Sequence, residues 1–162
     1  MSISKRLELI ANLVTPGYRV SDIGTDHGYV PIYLLRQNLS PSAIAVDISK
    51  GSLDKAIFNV SRAGLEEKID CRLSDGLDGI SPGETDSIVI AGMGGILMDK
   101  ILRRGIDVVL SSKELILAPH RDIQLMHQFA AEYGMEIVYD NTILDKKKYY
   151  NIVKLKVNNN CK

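Results

Sequence analysis

Carboxylates recur in this chain at the ends of short apolar runs, each beside a glycine or a turn. Asp22, Asp26 and His27 fall within Val20-Ser21-Asp22-Ile23-Gly24-Thr25-Asp26-His27-Gly28-Tyr29-Val30-Pro31. Asp47 closes the run 42–47, Asp75-Gly76 follows the run 69–73, and Ala91-Gly92-Met93-Gly94-Gly95 follows the run 85–90. Acids and glycines at successive strand ends suit the recognition of a nucleoside. A carboxylate can take ribose hydroxyls, an acid or backbone group can accept from an exocyclic amine, and bare backbone lets a flat ring pass close by. Each acid taken alone also fits a helix N-cap or a turn, and it is their succession that favours a ligand.

Within the first stretch, Gly24 permits a sharp turn and a close ligand approach, because a Cβ there would intrude. The pattern is not the dinucleotide fingerprint, since Asp26 stands where G-x-G-x-x-G has its second glycine. A carboxylate at that point would oppose a pyrophosphate and suit a cationic, amino-acid-like ligand. S-adenosylmethionine, with a sulfonium and an ammonium, fits that description, and a nicotinamide dehydrogenase does not. Asp47 lies 23 residues after Gly24, near the offset at which an acid engages a ribose. His27 suits a proton carrier, a helix-start contact or a hydrogen-bonded structural group. Tyr29 suits stacking or a buried helix start, and Pro119-His120-Arg121 either reaches the same crevice or forms a solvated loop. The basic groups Lys5-Arg6, Arg103-Arg104 and Lys146-Lys147-Lys148 read as solvated positions that could meet phosphate.

The elements that must position these residues alternate. Helical spacing predicts helices over 4–14 (Ser4 as N-cap), 30–37, 51–62, 96–104 and 122–133. Their predicted apolar positions include Ile32, Leu34 and Leu35; Leu53, Ala56, Ile57 and Val60; and Ile96, Leu97, Ile101 and Leu102. Short apolar runs predict strands over 18–23, 42–47, 69–73, 85–91, 114–118, 135–139 and 149–157. The last two are joined by a polar loop around residues 145–148. This alternation predicts an α/β fold with a doubly wound, mostly parallel seven-stranded sheet and one antiparallel strand near the edge.

The 162 residues are expected to form one domain, residues 1–162. The formal net charge of zero removes any bulk electrostatic claim on nucleic acid or membrane. Cys71 and Cys161 lack metal or disulfide spacing, which suits a reducing cytoplasm, and no metal is expected. No apolar run is long enough to span a bilayer and no signal-peptide core opens the chain, so a soluble cytoplasmic protein, most simply a monomer, is expected. Asn158-Asn159-Asn160 reads as a frayed tail.

D-I-G-T-D-H-G-Y-V-P (22–31), A-I-A-V-D-I (43–48), D-G-L (75–77), I-A-G-M-G-G (90–95) and the opening Ser4-Lys5-Arg6-Leu7 together resemble the bacterial tRNA adenine-22 N1-methyltransferases. The likeness runs over about residues 4–157, and the pairing of D-x-G-x-D-H-x-Y-x-P with A-G-M-G-G is specific. It implies a class I Rossmann-like fold, S-adenosylmethionine as donor, and N1 of one tRNA adenine as acceptor. With such a donor, the strand-end residues Asp22, Gly24, Thr25, His27, Gly28, Asp47, Ile48, Asp75, Gly76, Ala91, Gly92, Met93 and Gly94 are the expected cofactor contacts. Asp26 would stabilise the cationic product, with Tyr29 or His120 stacking on the base. Two departures accompany the likeness. Members usually carry a C-terminal helical extension, whereas this chain stops soon after its last predicted strand, and their usual Gln-Pro-Asn reads Ala118-Pro119-His120 here. The other readings of these residues are a methyltransferase for a small molecule or protein, and a nucleoside-binding module without turnover.

Overall fold

The structure, a computed structural model, describes residues 3–158. Seven strands lie in the order β3-β2-β1-β4-β5-β7-β6. They are β1 (Val20–Ile23), β2 (Ala43–Asp47), β3 (Ile69–Leu73), β4 (Ser87–Ala91), β5 (Glu114–Ala118), β6 (Glu136–Asp145) and β7 (Lys148–Lys156). Strands β1 to β5 pair in parallel, while β7 runs antiparallel to both β5 and β6. The one reversed strand therefore sits just inside the edge. The sheet order turns back between β1 and β4, which places a crevice at the carboxyl ends of those two strands.

Period-two alternation sorts the strand residues onto two faces. Ile88 and Ile90 of β4, Leu115 and Leu117 of β5, and Val153 and Leu155 of β7 join the core beneath α4 (Gly95–Arg104), α5 (Ile106–Ser111) and α6 (Gln124–Glu132). Ala43 and Ala45 of β2, Val89 of β4 and Ile116 of β5 join the core under α1 (Lys5–Asn12), α2 (Tyr29–Arg36) and α3 (Lys50–Arg62). Ser4 caps α1, its hydroxyl accepting the Leu7 amide at 3.2 Å.

Several expectations from the sequence shift here. Ile57, Ile96 and Leu97 point to solvent. In α4 the stripe that reaches the sheet is Met98, Ile101 and Leu102, and in α3 it is Leu53, Ala56 and Val60. Helix α5 was not anticipated. Strand β6 runs to Asp145, well past residue 139, and the expected polar loop contracts to a hairpin turn at Lys146-Lys147, both at positive φ. Beyond β5 this hairpin is paired only within itself, and Tyr139 and Ile143 fold it onto the α1 side of the core. Glu114 is buried at the start of β5 and accepts from the Thr15 amide (2.9 Å), the Thr15 hydroxyl (2.6 Å) and Ser87 Oγ (3.0 Å), with Lys154 at 3.4 Å. That knot fixes the end of the sheet opposite the crevice. Cys71 is half-buried and unpaired, its thiol pushed up by burial and by Asp70; Cys161, Asn159 and Asn160 lie outside the described residues.

Candidate active site

The loop after β1 is held from behind by β2. The amides of Gly24 and Thr25 both donate to the Val46 carbonyl, at 2.8 and 2.9 Å. Three of the next residues adopt the left-handed region: Gly24 (φ 74°), Asp26 (φ 55°) and Gly28 (φ 74°). Gly28 then starts α2, and the Asn59 side-chain amide of α3 donates to the His27 carbonyl at 2.9 Å. A Cβ built on Gly24 would stand 2.6 Å from Met93 Cε. The glycine thus lets the β4 loop close over the β1 loop as well as opening the backbone to a ligand.

Asp47, at the carboxyl end of β2, supports this loop. Its Oδ2 accepts the Asp26 amide and its Oδ1 accepts the Ser49 amide, both at 3.0 Å. Each oxygen retains a lone pair, so ribose hydroxyls can still be received. Asp22 is buried beneath the loop. Burial, partly opposed by Thr25 and reinforced by the Asp47 carboxylate, pushes its pKa up to about 7. A buried acid so raised is stabilised as a carboxylate by an incoming cation. Asp26 is exposed, its Oδ2 lying 3.6 Å from His27 Nε2, and the His27 ring stacks on Tyr29 at 4.9 Å and 9°.

These residues line a cavity of about 400 Å³ at the β1/β4 reversal. It brings together Asp22, Gly24, Thr25, Asp26, His27, Tyr29, Asp47, Ala91, Gly92 and Met93, as expected from the sequence, and adds Arg6, Leu7 and Val30. Gly28, Ile48, Asp75, Gly76, Gly94 and His120 lie outside its lining. Ile48 and Leu73 are exposed apolar side chains at the carboxyl ends of β2 and β3, and Asp75 lies 3.5 Å from Arg104. Gly76 (φ 56°) faces Ile101, and Gly94 precedes α4. His120 is exposed, its amide donating to the Met93 carbonyl at 2.8 Å, which ties the β5 loop to the β4 loop. Gly95 is the glycine of this loop that close packing demands, since a Cβ would meet the Asp122 carbonyl oxygen at 2.5 Å. A second cavity, about 490 Å³, opens at the opposite strand ends. Two of its charged groups are held in ion pairs, Arg19 with Asp86 and Arg72 with Asp70 and Glu84.

Arg6 is the lining residue whose importance the sequence concealed. A basic residue in an amphipathic helix looks like a solvated position, and the only signal was its place in the opening Ser4-Lys5-Arg6-Leu7. Among the described residues no group of three or more His, Cys, Asp or Glu is placed to hold a metal ion. No helix there is long and apolar enough to cross a membrane.

A parallel sheet with one reversed strand, its cavity at the order reversal lined by acids and bare backbone, defines a Rossmann-like methyltransferase class of domain. A family model described as a methyltransferase domain matches residues 3–153. A Bacillus subtilis (strain 168) tRNA (adenine(22)-N(1))-methyltransferase is 40% identical over 120 residues, 74% of this chain and 50% of that relative. The crystal structure of the B. subtilis M1A22 tRNA methyltransferase TrmK superposes with a TM-score of 0.93 at 32% identity, covering 97% of this chain and 67% of that one. A Streptococcus pneumoniae protein, Sp1610, solved in complex with S-adenosyl-L-methionine, gives a TM-score of 0.93 at 36% identity, covering 96% of this chain and 73% of that one. The chain belongs to the methyltransferase-domain family and, within it, to the bacterial tRNA (adenine-22-N1)-methyltransferases. It spans half the length of the curated B. subtilis relative.

Proposed function

We propose that this chain binds S-adenosylmethionine in the cavity at the β1/β4 reversal and transfers its methyl group to N1 of adenine 22 of tRNA, in the cytoplasm. The observation that carries the reading is the arrangement of three acids in that cavity: Asp22 buried, Asp47 clamped by two amides, and Asp26 exposed at the rim. The residues fit the donor. Asp22 suits its ammonium, Asp47 suits its ribose, and the volume falls within the range of small-molecule sites. When bound, S-adenosylmethionine supplies an electrophilic methyl on a sulfonium.

The acceptor needs no general base, because N1 of adenine carries a lone pair at neutral pH. The work of the protein is then alignment and charge stabilisation. The bare backbone at Ala91-Gly92 leaves room for a flat base beside the rim. Asp26, held in place through its own amide by Asp47, faces the charge that develops on the ring as the N–C bond forms. The stacked His27–Tyr29 pair offers an aromatic wall to a base drawn out of its stack.

Transfer of labelled methyl to unmodified tRNA transcripts, with copies carrying a replaced adenine 22, tests the proposal. Incorporation that disappears with the replacement is expected. Equal labelling of both transcripts would refute the position, and labelling of protein or small molecules alone would refute the substrate.

A further inference from the structure

Two large apolar side chains stand exposed beside the cavity mouth. Ile96 and Leu97, 56% and 50% exposed, lie in the first turn of α4, just after Met93 of the cavity lining. Lys100 follows at i+4 from Ile96 and i+3 from Leu97, so it shares their face of the helix, and it too is exposed. Arg121 of the β5 loop lies alongside, its Cγ 3.7 Å from a Cβ built on Gly94. Among the described residues neither Lys100 nor Arg121 makes a side-chain hydrogen bond or ion pair. The next cations of α4 are committed, Arg103 to Asp99 and Glu132, and Arg104 to Asp75 and Asp78. The face is also firmly seated. The Gly95 amide donates to the Arg121 carbonyl at 2.9 Å, and the His120 amide donates to the Met93 carbonyl at 2.8 Å. An apolar pair on a fixed seat, accompanied by free cations, is suited both to hold a nucleic acid and to open its stack.

We infer that Ile96 and Leu97 enter the base stack of the acceptor RNA and fill the space left as the target adenine is drawn out, while Lys100 and Arg121 hold neighbouring phosphates. This rests on the proposal that the acceptor is tRNA. An adenine stacked in folded RNA must leave its neighbours to bring N1 to a methyl group inside the cavity. An apolar side chain inserted in its place keeps the gap from closing. Charge complementarity selects this occupant, because Lys100 and Arg121 are both positive and unpaired, and a phosphate backbone answers both.

Methyl transfer by the full chain at saturating RNA, compared on two tRNAs, tests this. One is intact, and in the other the nucleotides flanking adenine 22 carry no base, so no stack has to be opened. Ile96→Ala combined with Leu97→Ala should lower kcat on the intact tRNA by roughly ten- to a hundredfold. On the abasic tRNA the same variant should lose less than about threefold. Ile96→Leu combined with Leu97→Met keeps the apolar reach and should retain kcat on both. Lys100→Gln combined with Arg121→Gln should instead raise KM for tRNA and reduce the slope of log affinity against log salt by roughly 1.5–2. Affinity for S-adenosylhomocysteine should stay unchanged in every variant, and thermal unfolding checks that the fold is retained. Equal loss of kcat on both tRNAs would overturn the inference in favour of contact with the adenine itself. Unchanged kcat on both would overturn it in favour of a protein partner at this face, and an unchanged salt slope would remove the phosphate contacts. Methylation of the intact tRNA but not the abasic one by the unaltered chain would also overturn it, since the flanking bases are then contacted and not parted. Failure of the unaltered chain to methylate the intact tRNA would instead overturn the proposed function on which the inference stands.

Discussion

The Asp47 carboxylate at the end of β2 accepts the backbone amide of Asp26, 3.0 Å away, while Asp26 itself sits in the left-handed region at φ 55°. One acid therefore sets the conformation of the loop that presents another. The same carboxylate also holds the Ser49 amide ahead of α3, so the β1 and β2 loops form one unit. Asp47→Ala should release both amides and weaken S-adenosylhomocysteine binding by more than about thirtyfold, since hydrogen bonds to a charged group carry roughly 1.5–3 kcal/mol each. Asp47→Asn should fall between, at roughly tenfold. Calorimetry reads both, and unchanged affinity in the alanine variant would remove Asp47 from the site.

Asp26 separates chemistry from binding. Asparagine tolerates the left-handed region as aspartate does, so Asp26→Asn removes charge without adding backbone strain. Methyl transfer should fall by roughly a hundredfold, with S-adenosylhomocysteine affinity held within about threefold. Equal loss of rate and affinity would assign Asp26 to binding alone.

Asp22 makes donor binding pH-dependent. Its pKa is pushed up to about 7 by burial, so below that pH an incoming ammonium must first displace a proton. Affinity should tighten by up to about tenfold per pH unit below 7 and level off above it. Stability runs the other way. The folded state holds this proton between about pH 4 and 7 while the unfolded state has lost it, so this contribution is full below about pH 4 and is lost as pH rises to 7. Asp22→Asn should therefore unfold at a higher temperature than the unaltered chain at pH 8, while binding S-adenosylhomocysteine more weakly. Parallel pH–affinity curves for the two proteins would exclude Asp22 as the titrating group.

Gly24 carries two separable demands, a positive φ of 74° and a Cβ position 2.6 Å from Met93 Cε. Gly24→Ala should lower stability by about 1–2 kcal/mol from the backbone alone. Adding Met93→Ala should recover only the part due to contact. Full recovery in the double variant would show that the backbone strain is negligible.

Glu114 tests the opposite end of the sheet. Glu114→Ala leaves the Thr15 and Ser87 hydroxyls and the Lys154 ammonium without their buried acceptor, and should lower unfolding free energy by about 3 kcal/mol or more. Methyl transfer per folded molecule should stay unchanged, because the knot lies away from the cavity. A loss of rate in fully folded protein would connect the two ends.

The parts of the fold legible in the sequence are those where local chemistry and tertiary demand agree. Strands Ile69–Leu73 and Glu114–Ala118 are short runs, the first alternating apolar with polar residues and the second mostly apolar, and they fold with those limits. The Gly24–Gly28 loop announced itself because three of its residues need the left-handed region and glycine or aspartate supplies it. The Lys146-Lys147 turn did not, because lysine lacks that preference and the turn is imposed by pairing of β6 with β7. Ile96 and Leu97 looked like core because apolar type cannot tell a helix's inner stripe from its flank. Arg6 was hidden for a related reason: its role depends on a hairpin more than 130 positions away in the chain, whose Asp145 and Tyr150 hold it at the cavity.

The most direct measurement is the identity of the modified nucleoside. Transcripts of tRNA bearing adenine 22, incubated with the full chain and S-adenosylmethionine, are digested to nucleosides and resolved by mass spectrometry and chromatography. The expected product is 1-methyladenosine, one per tRNA, absent when adenine 22 is replaced. Formation of N6-methyladenosine, or of no methylated nucleoside while S-adenosylhomocysteine still binds, would contradict it.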